Sequence, residues 1–179
     1  MKKVVIVSSS PRKNGNSEIL ANEAAKGAKD AGNEVEILLL RDKTVNFCRG
    51  CLACQKLLKC VIKDDMAEMI EKVKNADVLI FATPIYYYEM SGQLKTFLDR
   101  CNPIYPQEYA FRDVYLLSSS AEEGQEPAER AVSGLKGWIE CFEKAEFAGA
   151  FNAGGVTAPN DVLKNAEMLK VAYDMGKNV

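Results

Sequence analysis

Short uninterrupted apolar runs alternate along the chain with longer stretches in which apolar residues recur every three or four positions. Lys3 to Ser8 is a short, β-branched apolar run, the pattern of a strand buried on both faces. Ser17 to Ala31 follows as an alanine-rich helical pattern and stops at Gly32, a residue suited to a C-cap. Glu34 to Leu40 reads as the second strand. Asp64-Asp65 offers an N-cap ahead of Met66, Met69, Ile70 and Val73, which share one helical face. The third strand is Asp77 to Ala82. A loop from Pro84 to Met90 then leads to Ser91, which caps a helix reaching about Cys101. Asp113 to Ser118 forms the fourth strand, and Val132, Leu135, Ile139 and Phe142 mark one face of the next helix. Glu146 to Asn152 is a weaker fifth strand, broken by Gly154-Gly155. The last helix, from about Asp161, aligns Val162, Ala166, Leu169 and Tyr173.

Five strands alternating with helices predict a doubly wound α/β domain, its parallel sheet covered on both faces. No linker, low-complexity tract or solenoid repeat divides the chain, so residues 1–179 read as one domain. Ligands of such folds sit outside the carboxyl ends of the strands, where the strand order switches. The loops after strands one, three and four are therefore the places to search.

Composition removes several classes of function. Hydrophobic residues make up 47% and charged residues 27%, as in ordinary globular proteins. The net charge of −2 gives no global field favouring nucleic acid or an anionic membrane. The apolar start ends at Val7, too short for an export signal, and no run approaches the roughly 20 apolar residues of a membrane span. The expected location is the cytoplasm. Histidine is absent, which removes the usual triads, His-containing zinc sites and the common general base. A bound cofactor can supply the reactive atoms instead.

The first loop, Ser8 to Ser17, is rich in hydroxyls and amides, holds Gly15 and ends at a helix N-terminus, where backbone N–H groups favour a phosphate. Ser10, Asn16 and Ser17 can donate further hydrogen bonds, and Arg12 can offset charge. The loop is neither a Walker A sequence nor G-x-G-x-x-G. Read alone, it is equally a polar turn in which Asn16 or Ser17 only caps the helix. The third loop, Thr83 to Lys95, contains Tyr86-Tyr87-Tyr88; three consecutive tyrosines cannot all enter one core. They fit either the wall of a flat ring or an aromatic interface patch.

Both loops resemble those of NADPH-dependent FMN reductases, which have a flavodoxin-like fold. Ser-Ser-Pro-Arg followed by Gly15-Asn16-Ser17 is similar to that family's phosphate loop, with Ser9 in place of the usual first glycine. Pro84-Ile85-Tyr86-Tyr87, then Ser91-Gly92-Gln93-Leu94-Lys95 and Asp99-Arg100, resembles its flavin-ring loop. The resemblance implies a five-stranded parallel sheet of order 2-1-3-4-5 and bound flavin mononucleotide (FMN). Ser10, Arg12, Gly15, Asn16 and Ser17 would hold the phosphate, and Pro84, Ile85, Tyr86 and Tyr87 the ring and ribityl chain. Ser119, in Ser118-Ser119-Ser120, would lie on the third flavin loop. No side chain need act as acid or base, because the chemistry falls to flavin N5.

The six cysteines are unevenly spread: Cys48, Cys51, Cys54 and Cys60 form C-x2-C-x2-C-x5-C, while Cys101 and Cys141 stand alone. Three cysteines at intervals of three can converge on one cubane cluster, and Cys60 can close it. Structural zinc, which favours two separated hooks, fits less well. Lone cysteines are usually buried small hydrophobes. The spacing also resembles the compact motif of iron–sulfur flavoproteins, in which a 4Fe–4S cluster takes electrons from FMN across a subunit interface.

The resulting expectation is an FMN-dependent oxidoreductase passing electrons from NAD(P)H or a reduced carrier to a quinone, flavin, metal or other acceptor. The alternative is an electron carrier that works between ferredoxin-like partners through FMN and a 4Fe–4S cluster. The family resemblance implies a homodimer or homotetramer. The aromatic segment Pro103 to Phe111 reads as a subunit contact, an active-site cover or a locally packed loop.

Overall fold

The computed structural model describes residues 1–179. In chain order the elements are β1 (Lys3–Ser8), α1 (Asn16–Asp30), β2 (Glu34–Leu39), α2 (Ala53–Leu57), α3 (Met66–Lys74) and β3 (Val78–Tyr86). They continue as β4 (Glu89–Met90), α4 (Gly92–Arg100), β5 (Asp113–Ser119), α5 (Glu129–Ile139), β6 (Glu146–Ala153) and α6 (Ala166–Lys177). The sheet order is β2-β1-β3-β5-β6, all parallel, with β4 antiparallel to β3. β5 and β6 are the fourth and fifth strands expected from the sequence, so the predicted order holds.

Strand alternation divides the core in two. Val5, Val7, Leu79, Phe81 and Leu116 face α3, α4 and α5, where Met66, Met69, Leu94, Phe97 and Leu135 are buried. Val4, Ile6, Ile80 and Leu117 face α1 and α6, meeting Leu20, Ala24 and Ala172. The backbones of α1 and α6 touch: a Cβ on Gly176 would stand 1.9 Å from the Ala24 carbonyl oxygen. That contact fixes α1, and with it the N-terminus facing the first loop. No helix is long and apolar enough to cross a membrane.

Several local expectations are corrected. β3 runs beyond Ala82 to Tyr86 and turns back into β4, where an irregular loop was expected. Asp161 opens only a short 3-10 turn. The last helix starts at Ala166, where the Asn165 side chain accepts from the N–H groups of Glu167 and Met168. α5 stops at Ile139, and Phe142 packs into the core from beyond its end. Cys101 is buried as expected, whereas Cys141 is exposed. The Pro103 to Phe111 segment packs locally: Pro103, Ile104 and Phe111 are buried, and Tyr109 stacks on Phe111 at 4.5 Å.

Candidate functional site

The first loop ends in the first turn of α1, where three backbone N–H groups have no intrahelical acceptor. Ser10 donates its hydroxyl to the Arg12 carbonyl at 2.8 Å. Gly15 lies so close that a Cβ there would stand 2.2 Å from Ser10 Oγ and 3.1 Å from the Arg12 carbonyl oxygen. Asn16 is fully committed within the protein. Its amide donates to the Ala158 carbonyl (3.0 Å) and its oxygen accepts from Val162 N–H (3.1 Å). Arg12 donates to the Thr157 carbonyl at 3.1 Å. Both residues therefore fasten the segment after β6 onto the loop. Ser17 differs: its hydroxyl is buried in the first turn and has no partner in the protein. Buried polar groups are normally satisfied, so this donor calls for a ligand or water. Nearby, the first-turn carboxylate of Glu18 pairs with Arg41.

Ser9, where the resembling sequences carry glycine, joins three segments. Its hydroxyl donates to the Ala82 carbonyl at 3.1 Å and accepts from Ser91 Oγ at 2.9 Å. Ser91 N–H donates to Thr83 Oγ1 at 3.0 Å, and Ser91 Oγ also accepts from Leu94 N–H, capping α4 as expected. The first loop, the end of β3 and the start of α4 are thus one hydrogen-bonded unit.

The β3–β4 hairpin turns on Tyr87 and Tyr88, with φ of 51° and 64°. Two positive φ angles make the tight turn that normally takes Asn-Gly, and each Cβ pays a steric penalty there. Tyr87 is 97% exposed. Tyr88 donates to Glu122 Oε1 at 2.5 Å, and the Arg130 guanidinium lies over its ring. The hydrogen bond to Glu122 raises the phenol's pKa. A cleft of about 220 Å³ lies beside this hairpin, lined by Ile85, Tyr87, Tyr88, Ser120, Ala121 and Glu122 among others. Strain of this kind collects at functional sites. Tyr87→Asn should stabilise the FMN-free protein by about 1 kcal/mol. Urea unfolding of both proteins checks this, and no gain would mean the turn is unstrained.

Ser118, Ser119 and Ser120 are buried at the end of β5. Asn152 braces this loop: it donates to Ser120 Oγ (2.7 Å) and the Gly124 carbonyl (2.8 Å), and accepts from Ser118 Oγ (2.8 Å). The largest cavity, about 740 Å³, lies instead between β6 and α6. Glu123, Asp161 and Glu167 line it against one cation, Lys164, which is already paired with Asp161, a poor setting for a phosphate.

Cys48, Cys51, Cys54 and Cys60 line one small cavity of about 40 Å³. Their sulfurs are not yet gathered into a metal-binding set, so holding a cluster requires the side chains to draw together around it. Gly50 N–H approaches Cys48 Sγ at 3.5 Å, and Asn102 Nδ2 donates to Cys54 Sγ at 3.0 Å. Such N–H donors stabilise thiolates, and four soft sulfur ligands suit iron–sulfur chemistry.

The base of this loop is held by residues that spacing alone did not reveal. Asp64 accepts from Asn46 N–H (2.9 Å) and Met66 N–H (3.2 Å), and takes a bidentate pair from Arg100 at 2.7 and 2.9 Å. Asp65 accepts from Thr44 N–H at 2.6 Å. These carboxylates tie the loop shut; the Asp65 side chain does not cap α3. The Asp99-Arg100 pair ending α4 was the available signal for this anchor.

The family model for NADPH-dependent FMN reductases matches residues 2–155. An iron-sulfur flavoprotein of Methanocaldococcus jannaschii is 31% identical, with 99% of this chain and 95% of that protein covered. One from Methanosarcina thermophila is 30% identical over 87% of this chain and 82% of its own. Among solved structures, the NAD(P)H:quinone oxidoreductase of Methanothermobacter marburgensis superimposes with a TM-score of 0.73. It is 16% identical, with 99% of this chain and 98% of that one covered, and shares the fold. Together with the loops described above, these matches establish an FMN-dependent NAD(P)H oxidoreductase: the chain belongs to the NADPH-dependent FMN reductase family.

Proposed function

We propose that residues 1–179 act as one FMN-binding domain that moves electrons from NAD(P)H, through FMN, to a 4Fe–4S cluster on Cys48, Cys51, Cys54 and Cys60. The observation that carries this reading is the cavity lined by all four cysteines, of which Cys48 and Cys54 each receive one N–H donor. The names of the two iron-sulfur flavoproteins similar over most of the chain support it.

In this reading the first turn of α1 and the Ser17 hydroxyl bind the FMN phosphate, with Ser10, Gly15 and the backbone of Asn16 shaping the cradle. Arg12 adds positive charge at its rim. Pro84, Ile85, Tyr86 and Tyr87 form the wall for the ring, and Ser119 lies beside Pro84 on the neighbouring strand, at the end of β5. When bound, FMN supplies a centre that accepts a hydride and releases electrons singly. Nothing in this scheme needs a histidine. The residues bind, orient and shield.

The final acceptor in this reading is a small molecule such as a quinone, or a ferredoxin-like protein. The working unit is a homo-oligomer. All six cysteines are unpaired, in keeping with a reducing cytoplasm. Anaerobically prepared protein should carry about four iron and four sulfide per chain, and its bound FMN should bleach on addition of NADH or NADPH. Absence of both elements removes the cluster; flavin left oxidised by both nucleotides removes NAD(P)H as the donor.

A further inference from the structure

The strongest unexplained feature outside the flavin loops is a buried arginine. Arg100, 2% exposed, ends α4. It donates to the Asn46 carbonyl at 2.6 Å and to both oxygens of Asp64. Asn46 precedes the cysteine loop and Asp64 follows it, so one guanidinium closes both ends of a segment carrying all four clustered cysteines. Its Nε–H is also buried and has no acceptor in the protein. The Asp64 carboxylate faces the guanidinium across two hydrogen bonds and offsets the cost of burying its charge.

The other end of the same helix begins at Ser91, bonded to Ser9 of the first loop and to Thr83 of β3. Nine residues of α-helix, roughly 13 Å at 1.5 Å per residue, separate the two ends. The segment just beyond α4 continues the support. Asn102 reaches Cys54, and Gln107 donates to the Leu58 carbonyl at 3.0 Å.

We propose that Arg100 is the positioning residue of the cysteine site. It fastens the loop of residues 47–63 to the helix that carries the flavin-facing loops. The fastening does not depend on what the cysteines hold.

The test compares Arg100→Lys and the neutral pair Asp64→Asn with Arg100→Gln, which avoids leaving a lone buried charge. In iron-free protein, amide hydrogen exchange of residues 47–63 should quicken at least tenfold in the neutral pair. Exchange in β1 and α1, and FMN affinity, should stay at wild-type values. Arg100→Lys, still able to pair with Asp64, should quicken exchange in the loop less than the neutral pair does. Unchanged exchange in the loop overturns the fastening role, as does a loss of FMN affinity in step with loop opening.

Discussion

Gly15→Ala is expected to weaken FMN binding about thirtyfold, equivalent to about 2 kcal/mol. The new methyl group has nowhere to go. It would stand 2.2 Å from Ser10 Oγ and 3.1 Å from the Arg12 carbonyl oxygen. Ser10 must rotate away from its 2.8 Å hydrogen bond to Arg12, or the loop must open. Either movement displaces donors from the first turn of α1, where the phosphate is proposed to lie. The φ of Gly15 is −65°, so alanine meets no backbone penalty and the effect is purely steric. A double variant isolates the cause. With Ser10→Ala the nearest obstacle disappears, so folding stability should recover while FMN affinity stays low. Fluorescence titration of FMN and urea unfolding measure the two quantities. An alanine variant that binds FMN as tightly as wild type would place the phosphate elsewhere.

The sheet was legible in the sequence because its central strands are buried on both faces. Val4 to Val7 and Val78 to Ala82 contribute to opposite cores on alternate residues, which leaves no polar interruption. The hairpin was hidden because its turn uses Tyr87-Tyr88 where local rules expect Asn-Gly. The last helix start was misplaced because Asp161 and Asn165 are both plausible caps. Asp161 instead accepts from Thr157 and Ala158 N–H groups in the preceding turn. Within the candidate site, the polar loops were legible by type and place. Their partners were not, because those depend on residues distant in sequence. Asn16 looked like a ligand donor, yet both ends of its amide are occupied by residues after β6. The adjacent Ser17, equally polar, is the one left free. Asp64 and Arg100 are 36 residues apart and meet only because α4 crosses the base of the cysteine loop.

That meeting sets the second large effect. Asp64→Ala should lower the free energy of unfolding by about 3–5 kcal/mol, because it strands a buried guanidinium. The side chains of Asp64 and Arg100 are each 1% exposed, so water cannot easily replace the lost partner. With a typical urea slope near 2 kcal/mol per molar, the midpoint should fall by about 2 M. The pH dependence carries a definite sign. Burial alone would raise the carboxyl pKa of Asp64, but Arg100, Asn46 and Met66 together hold it well below the ordinary range. A depressed carboxylate contributes stability that is fully present above its unfolded value, about 3.9. That stability drains away as pH falls through the folded value. The gap between wild type and variant should therefore be constant from pH 7 to about 5 and narrow below about 4. Part of the acid slope should survive in Asp64→Ala. Asp161, held at about 2 by Lys164 and by the Ala158 and Thr157 N–H groups, still has to be protonated. A gap that persists unchanged at the lowest pH where both proteins still fold would mean that the carboxylate charge does not hold Arg100. The clasp would then owe its strength to shape alone, and the neutral pair Asp64→Asn with Arg100→Gln should fasten the cysteine loop as well as the native pair.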